Sequence, residues 1–265
     1  MMDRSRSWSI AAARFKVTSM LRQTTPYRAF YKRSLIAIVC LIVLSTACGN
    51  KTAVKDFDRD ADPDSASRAN VRKGVKPQPD QEVAVIETAN YGNIVIELYP
   101  NVAPNMVARF KKLIREGFYD STTFHRINAE SGLIQGGDPL SKDNDPSNDG
   151  AGDSPYANVP GEFSDIPFDR GIVGAARKGA QPEFAGQPGL TEDQARETAN
   201  CQFFITLKRE PQFDEDYTVF GRVIQGISNA EIISGAPVQE GTEHPADKIV
   251  IKRIFLQPRS QFISN

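Results

Sequence analysis

The feature that most restricts the fold is the shortness of the apolar segments between residues 81 and 258. These segments are rich in β-branched residues and are separated by glycine and proline. The first two, Val83–Thr88 and Asn93–Tyr99, flank an Asn-Tyr-Gly sequence that is typical of a hairpin turn. The last, Lys248–Phe255, predicts a closing strand. A region built from such segments is expected to fold mainly into β-structure.

Two stretches of this region have the sequence pattern of an α-helix. Pro104 begins the first, apolar residues follow at helical spacing, and Gly117 ends it. Ser228 and Glu231 have the spacing of a capping box, and this second helix ends near Gly235. Many strands with two helices predict a closed β-barrel capped by the helices.

Composition excludes several classes of function. Residues 81–265 carry 17 Lys or Arg against 26 Asp or Glu, and this acidic balance argues against binding to nucleic acid. Cys201 is the only cysteine of this region, which excludes a fold held by disulfides. The two histidines of the chain, His125 and His244, form no cluster with metal-ligand spacing. We therefore expect a domain stabilised by its hydrophobic core, with no metal and no cofactor.

Residues 1–48 have a different composition, with eight Lys or Arg against one acid. They contain ten consecutive apolar residues, Leu35–Leu44, followed by small residues and Cys48. A spanning helix needs about 20 apolar residues, so this run predicts a secretory signal peptide. Its end resembles a bacterial lipoprotein signal, which implies lipidation at Cys48 and an anchor in a membrane of the bacterial cell envelope. Plain secretion and an uncleaved anchor are the alternatives, and translation could start at Met1 or Met20.

Residues 49–80 connect this leader to the β-rich region. Their charges are interleaved and they contain one aromatic residue, so they bury too little apolar surface to offset the entropy of ordering. We expect a disordered tether, and a coil of this length has an r.m.s. span of about 30 Å. The tether suits a spacer that holds a domain away from a membrane, and a merely tolerated extension is the alternative.

Five segments of the β-rich region, in this order, resemble the cyclophilin family of peptidyl-prolyl isomerases: Gly117–Arg126, Leu133–Pro139, Arg170–Arg177, Gln202–Ile205 and Tyr217–Val223. The resemblance extends from Val83 to Gln257. It implies a closed eight-stranded antiparallel barrel capped by two α-helices over residues 81–258, with 259–265 as a tail. It also implies peptidyl-prolyl cis-trans isomerase activity on proline-containing polypeptides, without a cofactor, in a protein that we expect to be a monomer.

The chemistry of this reaction requires few groups. Rotation about an X-Pro bond costs about 18–20 kcal/mol because resonance keeps the bond planar. Uncatalysed isomerisation therefore takes tens to hundreds of seconds. A guanidinium that donates a hydrogen bond to the prolyl nitrogen favours the twisted state over the planar one, which is differential binding of the transition state.

The resemblance assigns roles to particular residues. Arg126 is the expected guanidinium, and Gln135 holds the substrate carbonyl or orients Arg126. The expected substrate-binding residues are Phe204, Leu133, Gln202, Ala176, Arg177, Phe213 and Tyr217. Phe203 is expected to face the core, since adjacent residues of a strand point to opposite sides. His125, although next to Arg126, is expected to be structural.

Three departures from the family pattern affect the site. Arg126 and Gln135 are nine residues apart, whereas the usual family spacing is eight. Gly132 falls where the family has a pocket phenylalanine, which predicts weaker substrate binding, and Arg177 stands where many members have asparagine. Residues 178–200 form a longer loop, in which Thr191 and Gln194 have the pattern of a helix cap.

Two functions fit these residues. The first is an envelope isomerase that assists the folding of exported proteins. The alternative is a binding or chaperone module that holds proline-containing segments in the same groove with little turnover. The two functions differ in whether the groove keeps its structure despite Gly132 and the extra residue before Gln135.

Overall fold

The computed structural model describes residues 70–184 and 188–263. The predicted leader with Cys48, and residues 49–69 of the predicted tether, lie outside the described residues. Among the helices in the described ranges, none has the length and apolar character needed to cross a membrane.

Within these described residues, one antiparallel sheet of eight strands forms the body of the domain. Its strands, in the order in which they lie side by side, are β3-β4-β6-β5-β7-β2-β1-β8. Their bounds are β1 Glu82–Thr88, β2 Asn93–Leu98, β3 Phe124–Asn128, β4 Leu133–Gly136, β5 Ile172–Ala175, β6 Phe203–Thr206, β7 Val219–Gln225 and β8 Ile251–Pro258. The predicted mainly-β, eight-stranded antiparallel fold is confirmed.

The predicted closed barrel needs a correction, because the sheet is a curled half-barrel whose edge strands meet at one end. An isolated bridge joins Thr123 to Val250, and the amide of Ile251 donates to the carbonyl of Thr122 at 2.8 Å. Beyond this point the register of β3 shifts between Phe124 and Arg126, and the amide of Ile127 donates to the carbonyl of Glu243 and not to β8. β8 also begins three residues later than the predicted Lys248.

Three α-helices accompany the sheet in the described ranges: α1 Pro104–Arg115, α2 Glu192–Arg196 and α3 Ile227–Ser234. α1 begins at Pro104 as predicted, because proline suits a first turn whose amides have no partner within the helix. The cap at Thr191 is confirmed, since its hydroxyl accepts from the amide of Gln194. The capping box predicted at Ser228 is wrong: the N-cap of α3 is Gly226, and no side chain caps it.

The core lies between the inner face of the sheet and the helices. Phe110 of α1 is fully buried, with its ring centroid 5.5 Å from that of Phe203 on β6 and 5.2 Å from that of Phe220 on β7. The predicted inward orientation of Phe203 is confirmed. Because side chains alternate along a strand, Phe204 lies on the opposite face of β6.

Two segments that the sequence placed outside the domain contact it. The amide of Asp80 donates to the carbonyl of Leu98 at 2.9 Å, and the amide of Gly74 donates to the carboxylate of Asp165 at 2.7 Å. At the other end, the amide of Arg259 donates to the carbonyl of Gln81 at 2.8 Å. The described parts of the predicted tether and tail therefore pack against the sheet.

Candidate active site

The residues of the candidate site lie in one row across neighbouring strands. Arg126 on β3 pairs with Gln135 on β4, Gln135 pairs with Phe204 on β6, and Phe204 pairs with Gly174 on β5. Directly opposed residues of antiparallel strands present their side chains on the same face of a sheet. The sheet therefore places a guanidinium, an amide and an aromatic ring side by side, although 78 positions separate Arg126 from Phe204.

The apolar half of the row is an aromatic cluster around Phe204. Its ring stacks on that of Phe168 at 5.6 Å and meets the rings of Phe213 and Tyr217 edge-on at 5.3 and 5.5 Å. Leu133 belongs to the same cluster. The structure thus brings together the residues predicted to hold a proline ring, and it adds Phe168, for which the sequence carried no signal.

Gly174 makes room for the Phe204 ring. A Cβ at position 174 would lie 2.4 Å from Cζ of Phe204 and 2.8 Å from Cε1 of Phe168. Both rings belong to the packed cluster, so a larger residue at position 174 would displace them.

The polar half of the row is a chain of hydrogen bonds that starts at Arg126. Its Nη1 donates to Oε1 of Gln135 at 3.3 Å, and Nε2 of Gln135 donates to Oε1 of Gln202 at 3.0 Å. Gln202 in turn donates to the carbonyls of Gly150 and Gly152 at 3.0 and 2.9 Å. The predicted residues Arg126, Gln135 and Gln202 therefore orient one another, despite the longer spacing between the first two.

Glu243 completes this chain and was not predicted. Its carboxylate accepts hydrogen bonds from Nε of Arg126 and from Nδ2 of Asn128. Burial alone would raise the pKa of Glu243, but these hydrogen bonds and the positive charge of Arg126 hold the pKa below its usual value. The carboxylate is therefore ionised at neutral pH. Sequence reasoning missed it because 117 positions separate it from Arg126.

The guanidinium of Arg126 faces an open cleft of about 590 Å³, which is lined by His125, Arg126, Gln135, Asp149, Gly150, Arg177, Gly241, Thr242, Glu243 and His244. The Arg126 side chain is 47% exposed, so a bound peptide can reach it. A smaller cavity of about 60 Å³ lies beside Gln135, with Ala176 and Gln202 in its wall. Ala176 borders it as predicted, and its amide donates to the carbonyl of Gln202 at 3.0 Å.

His125 and Cys201 are buried groups without catalytic character. Burial lowers the pKa of His125 to about 4, so the imidazole is neutral at physiological pH. Within the described residues its ring nitrogens have no hydrogen-bond partner, which agrees with the predicted structural role. Burial raises the pKa of the Cys201 thiol to about 12, so it is not a nucleophile.

Arg177 lines the cleft, but its guanidinium is engaged elsewhere. The side chain is 5% exposed, and Nη2 donates to Glu192 of α2 at 2.6 Å and to Asp216 at 2.5 Å. Its Cζ also lies 4.5 Å from the centroid of the Tyr217 ring. The side chain predicted to contact substrate therefore connects the 178–200 segment to the wall of the aromatic cluster.

Gly132 ends the turn between β3 and β4. Its φ of +59° is in the left-handed region, and a Cβ there would lie 2.8 Å from Cγ of Lys208. Position 132 thus faces the stem of Lys208, while the next residue, Leu133, joins the Phe204 cluster. The extra residue is absorbed in this turn, so the register between Arg126 and Gln135 is kept.

Comparisons with known proteins agree with this site. Residues 83–255 match the family model described as cyclophilin type peptidyl-prolyl cis-trans isomerase/CLD. A probable peptidyl-prolyl cis-trans isomerase of Brucella suis is 36% identical over 176 residues, which cover 64% of this chain and 82% of that protein. A peptidyl-prolyl cis-trans isomerase-like 2 of Gibberella zeae is 34% identical over 182 residues, 65% of this chain and 27% of that protein.

Among solved structures, a cyclophilin type peptidyl-prolyl cis-trans isomerase of Cryptosporidium parvum, in the presence of the dipeptide Ala-Pro, superimposes with a TM-score of 0.52. It is 29% identical, and the match covers 69% of this chain and 99% of that chain. A cyclophilin from Hirschia baltica, 20% identical with a TM-score of 0.50 over 67% of this chain and 75% of that one, shares the fold. This chain therefore belongs to the cyclophilin-type peptidyl-prolyl cis-trans isomerase family.

Proposed function

We propose that the protein twists X-Pro bonds with the guanidinium of Arg126, while the proline ring occupies the aromatic cluster around Phe204. The observation that carries the proposal is the cross-strand row of Arg126, Gln135 and Phe204. One face of the sheet then holds a hydrogen-bond donor on β3 and an aromatic cluster on β6, which are two strand spacings, or about 10 Å, apart at the backbone.

The planar and twisted states of the peptide differ in how well the prolyl nitrogen accepts a hydrogen bond. In the planar state the nitrogen lone pair is shared with the carbonyl, so it accepts a hydrogen bond poorly. In the twisted state the lone pair is localised, and a charged donor stabilises it. A charge-assisted hydrogen bond contributes about 1.5–3 kcal/mol, or about one to two decades of rate. The remaining acceleration would come from the fixed orientation of the proline ring and of the carbonyl, the latter held by Gln135.

Proline-containing segments of exported proteins are the proposed substrates, and a lipid anchor in the cell envelope is the proposed location. Support comes from the basic leader with its short apolar run and Cys48, and from the charged segment that follows. The structure in the presence of Ala-Pro belongs to the Cryptosporidium parvum relative; for this chain we propose the same kind of ligand. We propose a monomer that binds no nucleic acid.

A binding module with little turnover is the second candidate. The observation that favours it is the ion pair between Arg126 and Glu243, because a carboxylate competes with substrate for the guanidinium. The two candidates differ in rate and not in binding, so a turnover assay separates them.

The test measures cis-trans exchange in an Ala-Pro peptide by NMR, with the purified protein and with Arg126→Ala. We expect the parent to accelerate exchange and Arg126→Ala to lose at least about tenfold, because a charge-assisted donor is removed. Arg115→Ala is the matched control: Arg115 on α1 pairs with Glu82 at 3.0 Å and is 59% exposed, away from the cleft. A parent no faster than the uncatalysed rate would refute the isomerase, and equal rates for parent and Arg126→Ala would refute the role of Arg126.

The proposed anchor has its own test. Mass spectrometry of the mature protein should find a lipidated Cys48 at the N-terminus. An unmodified N-terminal residue other than Cys48 would overturn the lipoprotein proposal and leave the isomerase proposal intact.

A further inference from the structure

The loop between α3 and β8 covers the part of β3 that β8 leaves unpaired. After the register shift, the amide of Ile127 donates to the carbonyl of Glu243 at 2.8 Å, so the loop takes the place of a neighbouring strand. Sheet edges are commonly protected by such loops. Here the protecting residue also directs its side chain at the candidate catalytic arginine.

Glu243 is fixed from several sides. One carboxylate oxygen accepts from Nε of Arg126 and the other from Nδ2 of Asn128. Asn128 is itself oriented, because its Oδ1 accepts from the amide of Ser131 at 2.7 Å. Within the loop, the amide of Gln239 donates to the carbonyl of His244 at 2.9 Å. Contacts other than the one with Arg126 therefore hold the carboxylate of Glu243 in place.

The way in which Glu243 contacts Arg126 leaves the guanidinium usable. A guanidinium has five N–H donors in a rigid plane. Glu243 accepts from Nε and Gln135 accepts from Nη1, so these two contacts fix the plane at separate positions. The N–H groups of Nη2 and the second N–H of Nη1 are engaged by neither partner. A side chain that is 47% exposed would otherwise sample many rotamers.

We propose that Glu243 is a positioning residue for Arg126, holding its guanidinium so that the Nη groups face the prolyl nitrogen. The inference rests on the proposed function of Arg126. Glu243 acts through the arginine and does not touch the substrate. Its negative charge also weakens the field of the guanidinium, but both partners are partly exposed and solvent screens this effect. Loss of Glu243 should consequently lower kcat more than it changes KM, because ground-state burial of the proline ring is unaffected.

The experiment uses the full protein and the variants Glu243→Ala and Glu243→Gln. We expect Glu243→Ala to lower kcat about tenfold with KM changed less than about twofold, since a loosened catalytic group loses orientation. Glu243→Gln should lose less, because one amide oxygen can still accept from Nε of Arg126. The matched control is Glu231→Ala: Glu231 on α3 pairs with Arg170 at 2.6 Å and is 42% exposed, outside the cleft. This control should keep the kcat of the parent.

A second readout does not depend on catalysis. The ¹⁵Nε–¹H signal of Arg126 should exchange slowly with solvent in the parent and in Glu231→Ala, and rapidly in Glu243→Ala. An unchanged or raised kcat in Glu243→Ala would overturn the proposal, as would unchanged exchange of this signal. In the Arg126→Ala background, Glu243→Ala should have no further effect; an equal loss there would also overturn it. If Arg126→Ala alone leaves activity unchanged, the proposed function fails, while the Nε signal still reports whether Glu243 holds the arginine.

Discussion

Sequence and structure lead to different expectations for the replacement of Gly132 by phenylalanine. By resemblance, Gly132 stands where the family has a pocket phenylalanine, so restoring the ring should strengthen substrate binding. In the structure a Cβ at this position points to Lys208, with Cγ at 2.8 Å and Cδ at 3.2 Å. We therefore expect Gly132→Phe to destabilise the protein without lowering KM.

The magnitude follows from two terms. A non-glycine residue at the φ of +59° carries a left-handed penalty of about 1–2 kcal/mol. The side chain of Lys208 is 51% exposed and its stem can move, so the remaining contact is with the backbone nitrogen of Lys208 at 3.3 Å, which adds less than the backbone penalty. For a domain of this size each kcal/mol lowers Tm by about 2–4 °C. Gly132→Phe and Gly132→Ala should thus lose about 2–8 °C, and Gly132→Asn should lose less, because asparagine tolerates this conformation.

The assay combines thermal unfolding of the parent and the three variants with KM for an X-Pro peptide. The alanine variant isolates the backbone penalty from the ring, and the asparagine variant reports whether the conformation itself is the cause. A Gly132→Ala variant with the Tm of the parent would contradict the backbone penalty. A Gly132→Phe variant with a lower KM would show that position 132 contacts the substrate.

Two further predictions concern buried ionisable side chains. The pKa of His125 lies near 4, below its ordinary 6.5, so the buried neutral form contributes stability that is complete above pH 6.5 and is lost as the pH falls toward 4. The free energy of unfolding of the parent, measured with urea, should therefore fall by up to about 3 kcal/mol over this window, and that of His125→Asn should fall less. Parallel pH profiles for the two proteins would contradict this. Arg177→Ala removes the shared partner of Glu192 and Asp216, so it should lower the free energy of unfolding by about 1–3 kcal/mol and speed amide hydrogen exchange in α2. Unchanged exchange in α2 would show that Arg177 does not hold residues 178–200 in place.

Local patterns in the sequence determined much of the fold. Pro104 begins α1 and Thr191 caps α2, because both effects act within one helical turn. Strand alternation placed Phe203 inside and Phe204 on the opposite face, since neighbouring side chains of a strand must diverge. Motifs in a fixed order also identified Arg126, Gln135 and the aromatic residues, which the structure brings into one row and one cluster.

Features that depend on contacts between distant segments could not be read in this way. In the described residues the two edges of the sheet pair near Thr123 and Val250, and the register of β3 shifts directly after this point. Glu243 reaches Arg126 only because its loop docks on the edge left free. In the sequence, Gly132 stands where the family has a pocket phenylalanine, and the structure shows that a Cβ at this position would face Lys208. The mainly-β fold, the first residues of two helices and the identity of the candidate site residues could be predicted from the sequence, since these depend on local patterns and residue type. The curl of the sheet and the partner of Arg126 became visible in the three-dimensional fold alone, because both depend on strand register and on contacts between segments that are distant in the chain.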